Sequence, residues 1–288
     1  MKDNVITPST RLCAVIGNPV GHSMSPAIHN AAFNFLNLDY VYVAFKVEDV
    51  KNVLTGMRAL TNFRGLSVTI PHKIDIIKYV DEINDIDRSI GSINTVINED
   101  GKLIGLGTDG PAALKALVDA GVELCGKNVV MVGSGGVARA IAFTLAQKAE
   151  VGKISLLDID QGMLQGLALD LKSGTKADIE SFVSNDASIA KVMEYANVII
   201  NCTPVGMYPR EGVSIVPVEL LKAGQAVFDV VYNPLETKML SDAKSRGLIA
   251  VSGVDMFLNQ AAMQFEHFTG VEAPIEEMRR VLMEKLKI

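Results

Sequence analysis

At 288 residues the chain is long enough for two domains of ordinary size, and 49% hydrophobic against 21% charged residues allows substantial cores, which excludes wholesale disorder. A net charge of −6 with no basic run argues against nucleic acid as a partner. The apolar runs are strand-sized and the polar start Met1–Arg11 has no signal-peptide core, so no membrane partner is expected and the protein is placed in the cytoplasm.

In chain order, Leu12–Ile16 reads as a strand. Ser25-Pro26 reads as an N-cap followed by proline at the first helical position, opening a helix over Ala27–Leu36. Tyr40–Phe45 reads as a strand, Val47–Leu60 as an amphipathic helix and Arg64–Ile70 as a strand, while Asp75–Val80 and Ile83–Ser89 look helical. Ile93–Asn98 and Lys102–Gly105 flank Glu99-Asp100-Gly101 as a hairpin with a D-G turn. A helix over Asp109–Ala120 follows. Asn197–Cys202 and Gln225–Val231 are buried-strand candidates. Thr237–Arg246 is a helix ending at Gly247, Leu248–Val251 a strand, and Val254–Phe268 and Glu276–Leu286 are helices.

The most informative stretch is Gly133-Ser134-Gly135-Gly136-Val137-Ala138, between a strand at Asn128–Val132 and a helix at Val137–Lys148. Gly133 permits a tight turn, Gly135 lets a pyrophosphate approach the backbone, and Ala138 is small enough for the helix to pack on the strand. Phosphates would then sit at a helix N-terminus, where unpaired N–H groups favour anions. The next strand, Lys153–Leu157, ends in Asp158, a carboxylate suited to an adenosine ribose diol. Repeated strand–helix alternation predicts an α/β fold with mostly parallel sheets. We expect an N-terminal α/β substrate domain over residues 1–108 and a Rossmann-like dinucleotide-binding domain over 109–250. Helices over 251–288 return to the first domain, and the substrate is expected in a cleft between the domains. Cys13, Cys125 and Cys202 lack metal or redox spacing and read as buried free thiols in a reducing compartment.

Three first-half segments are rich in polar groups where a plain core would be apolar: Gly17–Asn30, Gly65–Lys73, and Gly91–Thr95 with Gly107–Gly110. They resemble the G-x-P-x-x-H-S-x-S-P-x-x-H-N, N-V-T-x-P-x-K, G-A-x-N-T and N-T-D-G motifs of the shikimate dehydrogenase family, which includes quinate/shikimate dehydrogenases. Near the C-terminus, Gly253–Ala262 resembles that family's G-x-x-M-L-x-x-Q-A segment. The likeness spans almost the whole chain in the same order.

The resemblance implies reversible NAD(P)-dependent oxidation of a CH–OH group. Shikimate would give 3-dehydroshikimate, a step of the pathway to aromatic amino acids, with quinate as an alternative substrate. It implies Lys73 and Asp109 as the catalytic pair. Alcohol oxidation sends a hydride to the nicotinamide and a proton to a nearby side chain, and a lysine amine can take that proton where burial favours its neutral form. The resemblance also implies that Ser23 and Ser25 hold the substrate carboxylate. Thr69, Asn94 and Gln260 would contact its hydroxyls, and Tyr232 would lie at the substrate mouth. Cofactor contacts are expected from Gly133, Ser134, Gly135, Gly136, Val137, Ala138 and Asp158. Thr203, Gly206 and Met207 are expected against the nicotinamide, and Val230, Gly253 and Asp85 complete the set. A monomer or homodimer is expected.

His22 and His29 read as hydrogen-bonded structural histidines, His72 is not taken as the base, and His267 has a surface or packing role. No metal-ligand spacing occurs.

The chain departs from the family pattern in three segments. Ser67 and Gly107 each stand where an amide is usual. Asp158 and Asp160 stand where NADP-dependent relatives carry an N-R-[ST] turn whose arginine pairs with the 2′-phosphate. Two carboxylates would repel that phosphate, so NAD is expected over NADP, with NADP retained as the alternative. A non-catalytic Rossmann redox sensor is the main competing reading, and it has no need of Lys73 and Asp109. A methylene-tetrahydrofolate dehydrogenase is disfavoured by Ser23, Ser25 and Gln260.

Overall fold

The computed structural model describes residues 6–208 and 211–286, so residues 1–5 of the polar start lie outside it. The chain divides into two compact units, one running to Thr108 and resuming at Leu258, the other spanning Asp109–Phe257.

The first unit opens with β1 (Arg11–Gly17), α1 (Ser25–Phe35), β2 (Tyr40–Lys46), α2 (Val50–Ala59) and β3 (Phe63–Val68). Next come β4 (Glu82–Ile83), α3 (Asp85–Ile90), β5 (Thr95–Glu99) and β6 (Lys102–Leu106). The strands form one mixed sheet in the order β2-β1-β3-β5-β6-β4. The β1–β2 and β1–β3 pairs are parallel, whereas β5 runs antiparallel to both neighbours. The β5–β6 turn is Asp100-Gly101, both at positive φ (52° and 89°), the conformation a D-G hairpin favours. Asp49 caps α2 by accepting from Asn52 N at 3.0 Å, so the helix starts at Val50 rather than Val47. Ser25 is not a cap: Met24 holds that position, and Ser25 is the first helical residue. Residues 75–79 form a 3-10 turn, and Asn84 caps α3 by accepting from Asp87 N at 2.8 Å.

The second unit holds α4 (Asp109–Asp119), β7 (Asn128–Val132), α5 (Gly136–Lys148), β8 (Lys153–Asp158), α6 (Gln161–Gly174) and β9 (Asp178–Val183). It continues with α7 (Asp186–Met193), β10 (Val198–Asn201), β11 (Ala226–Asp229), α8 (Lys238–Ser245) and β12 (Ile249–Ser252). Its six strands are all parallel, in the order β12-β11-β10-β7-β8-β9. The order reverses between β7 and β10, the switch point at which doubly wound folds bind ligands beyond the strand ends. Strands β10 and β11 are buried at every position, because helices cover both sheet faces.

Helix α9 (Gly253–Thr269) begins in the second unit and continues into the first, followed by α10 (Ile275–Leu286), which packs on α1. The ring of Phe268 on α9 occupies the space a side chain at Gly65 of β3 would need. Among the described residues, no helix is long and apolar enough to cross a membrane. Cys13 is buried and Cys202 half-buried, but Cys125 is exposed, which corrects its reading as a buried thiol.

His29 is also a correction. It is fully buried, stacks on Tyr42 at 4.4 Å, and is surrounded by Phe33, Phe265 and Phe268. Neither ring nitrogen has a hydrogen-bond partner. Burial lowers its pKa from 6.5 to about 3. Below pH 6.5 the unfolded chain accepts a proton that the folded chain refuses. Stability is therefore complete above 6.5 and falls by about 1.4 kcal/mol per pH unit toward pH 3. Urea unfolding of the parent is expected to lose about 2 kcal/mol from this group between pH 7 and pH 5. His29→Phe is expected to remove that component, and equal pH slopes in the two proteins contradict the assignment.

Candidate active site

In the first unit, the polar residues gather where the chain leaves β1, β3 and β6 and where it enters β5. Thr69 follows β3, and its methyl group fills the space a side chain at Gly17 would need. Thr69 O accepts from His72 N at 3.0 Å, and His72 Nε2 lies 2.8 Å from Val47 O, which fixes the turn carrying Lys73. Lys73 is buried, and its carbonyl accepts from Ile93 N at 2.9 Å, which brings it beside Asn94. Asn94 Nδ2 donates to Thr108 Oγ1 at 2.9 Å, and Thr108 Oγ1 donates to the Gln260 carbonyl at 3.4 Å. Hydrogen bonds thus tie together the segments that carry Thr69, Lys73, Asn94 and Gln260. Ser23 Oγ accepts from Ser25 N at 3.3 Å, and the Ser25 hydroxyl is within hydrogen-bonding reach of Tyr42. Asp85 is an exposed residue at the start of α3. His22 and His267 are exposed.

Gly107 has a local reason for lacking a side chain. Its N–H donates to buried Asp87 Oδ2 at 3.0 Å, and a Cβ there would stand 2.7 Å from Asp87 Oδ1. Asp87 is a structural residue that the sequence does not single out.

In the second unit, the glycine turn lies at the switch point. Gly133 adopts φ +103°, and a side chain there would meet the Cys202 backbone at 3.0 Å and the Thr203 methyl at 3.2 Å. Gly135 has open space on its Cβ side and precedes α5 as an N-cap without a side-chain hydrogen bond. The first turn of α5 therefore presents backbone N–H groups to an anion, and Ala138, with no exposed surface, seats the helix. Gly136 and Val137 form that first turn. Asp158 closes β8 and accepts from Ser134 N at 2.7 Å, from the Ser134 hydroxyl, and from Asp160 N at 2.9 Å. A carboxylate offers about four acceptor positions, so one remains on Oδ1 for a ribose hydroxyl. Asp160 caps α6 by accepting from Gly162 and Met163 N–H groups at 2.9 and 3.0 Å. These residues fit a dinucleotide.

Beyond the switch point, Asn201 and Asp229 hold the following loops, and the sequence does not reveal them. Asn201 Oδ1 accepts from Thr203 N and Oγ1 at 3.0 and 2.7 Å, and Asn201 Nδ2 donates to Val205 O at 3.1 Å. Asp229 accepts from Asn201 Nδ2, Val231 N and Thr237 Oγ1 at 2.7–3.1 Å, and burial raises its pKa above the usual carboxylate range. Together they fix the segment carrying Thr203, Gly206 and Met207. Gly253 can bear no side chain, since a Cβ would stand 2.5 Å from both the Val230 and Val231 carbonyls. Tyr232 stacks on Phe257 at 4.6 Å, and burial raises its pKa.

Asp109 is buried and opens α4. Beside it, a Cβ at Gly110 would collide with the Thr144 hydroxyl and stand 2.6 Å from Ala140 O, so α4 lies directly on α5. Gly110→Ala is expected to cost about 1–3 kcal/mol of stability and to displace Asp109. Urea unfolding together with kcat checks this, and a variant matching the parent in both contradicts it.

Comparisons with known proteins agree with this fold. The model of the shikimate dehydrogenase substrate binding domain matches residues 15–96, and the shikimate 5'-dehydrogenase C-terminal domain matches 253–283. A lactate/malate dehydrogenase NAD binding domain matches 127–237. A shikimate dehydrogenase (NADP(+)) from Moorella thermoacetica is 42% identical over 98% of this chain and 95% of its own. A shikimate 5-dehydrogenase from Listeria monocytogenes, solved with shikimate and NAD, superposes with a TM-score of 0.89 at 36% identity, covering 96% of this chain and 98% of its own. A quinate dehydrogenase from Corynebacterium glutamicum, solved with NAD, gives a TM-score of 0.87 at 28% identity over 96% and 99%. Its sequence and its α/β architecture thus assign this chain to the shikimate dehydrogenase family.

Proposed function

We propose that the protein catalyses the reversible NAD(P)-dependent oxidation of shikimate to 3-dehydroshikimate in the cytoplasm. The observation that carries this reading is Lys73, 8% exposed, on a segment hydrogen-bonded to the one that carries Asn94, in a chain that also carries a dinucleotide turn. Lys73 takes the proton of the reacting hydroxyl, with Asp109 as the second member of the pair. Ser23 and Ser25 bind the substrate carboxylate, and hydrogen bonds to a charged group are each worth about 1.5–3 kcal/mol. Thr69, Asn94 and Gln260 hold the ring hydroxyls, with Tyr232 at the substrate mouth. When bound, the nicotinamide supplies the hydride acceptor.

NAD is the preferred cofactor in this reading. Asp158 is anchored by Ser134 where an arginine would serve a 2′-phosphate. Initial rates with shikimate or quinate, each with NAD or NADP, test the whole proposal. Shikimate with NAD is expected to give the highest kcat/KM. Failure to reduce either cofactor with shikimate would overturn it.

A further inference from the structure

Ser67 stands where the family pattern has an amide, and in this chain an amide reaches the same place from another element. Gln264, on α9 and 1% exposed, inserts its carboxamide between β3 and the Asn94–Thr95 segment. Its Nε2 donates to the Asn94 carbonyl at 3.0 Å and to Thr95 Oγ1 at 2.9 Å. A carbonyl can only accept, so the nitrogen must face Asn94 and the oxygen must face away. That oxygen accepts from Ser67 Oγ at 2.7 Å, which uses the only proton of Ser67, and Ser67 in turn accepts from the Tyr42 hydroxyl at 2.6 Å. On the other side, Thr95 Oγ1 donates to Asn94 Oδ1 at 3.0 Å, and Thr108 N donates to the same oxygen at 2.8 Å. Asn94 Nδ2 is thereby directed at Thr108 Oγ1. Ser67, Asn94, Thr95 and Gln264 are all buried, and a buried polar network specifies one arrangement when its members satisfy one another.

We propose that Gln264 is a positioning residue for the polyol end of the substrate site. It fixes the Asn94 backbone directly and the Asn94 carboxamide through Thr95, and so sets the direction in which that carboxamide meets a substrate hydroxyl. Its effect on substrate passes through Asn94. The inference rests on the reading above that Asn94 contacts the substrate.

Initial-rate kinetics of the parent, Asn94→Ala, Gln264→Met and the double variant test it. Gln264→Met is expected to raise KM for shikimate about tenfold, the size of a lost hydrogen bond, with KM for the dinucleotide unchanged. In the Asn94→Ala background the same change is expected to raise it less than about twofold. Equal effects in both backgrounds overturn the positioning role. An unchanged shikimate KM in Asn94→Ala overturns the substrate contact, and the proposal with it. Thr95→Val keeps the side-chain shape and removes only the second path. It is expected to shift shikimate KM in the same direction, and it decides the matter if Gln264→Met does not fold; an unchanged KM there overturns the relay.

Discussion

Lys73→Met is expected to lower kcat for shikimate oxidation by about 10²–10⁴-fold, the range that general-base catalysis supplies. Methionine keeps an unbranched apolar stem of similar reach, so the buried position stays filled and the turn fixed by His72 and Ile93 is retained. Only the amine proposed to take the proton is lost. KM for shikimate should move far less than kcat, because the serines and amides proposed to hold the substrate are untouched. Steady-state kinetics with a binding measurement for shikimate separate the two effects. A variant that turns over at the parent rate would refute the role of Lys73, and one that no longer binds substrate would reduce the lysine to a structural contact.

The second large effect concerns cofactor choice. We expect kcat/KM with NAD to exceed that with NADP by about 10–100-fold, matching the 1.5–3 kcal/mol of a charge-assisted hydrogen bond gained with a ribose hydroxyl. The carboxylate is held toward the glycine turn by the Ser134 N–H and hydroxyl, so it cannot swing away from a 2′-phosphate without losing both. Asp158→Ser should lower efficiency with NAD and leave NADP equal or improved, closing most of the gap. A clear preference of the parent for NADP would overturn the assignment.

The centre of the second sheet is legible in the sequence. The apolar runs of strand length at 128–132, 197–202 and 225–231 read as strands buried on both faces, and β7, β10 and β11 are parallel neighbours in the sheet. The stretch 161–193 carries no assigned element in the sequence reading, although it holds α6, β9 and α7. Gly162, Gly166 and Gly174 dilute the helical signal of α6, and β9, at the sheet edge, buries only Ile179 of its six residues. Ser25-Pro26 has a cap's composition, but the chain turns one residue earlier. The motif residues of the candidate site are legible as motifs. Their supports are not: Asp229 finds Asn201 from 28 residues away, and Gln264 finds Ser67 from 197. A polar side chain among apolar neighbours signals burial, but its partner is set by the tertiary fold.

The most direct measurement is product identification beside cofactor reduction. Shikimate incubated with the protein and oxidised dinucleotide is expected to yield 3-dehydroshikimate in an amount equal to the cofactor reduced. Reduction without that ketone, or a mixture left unchanged, would contradict the account.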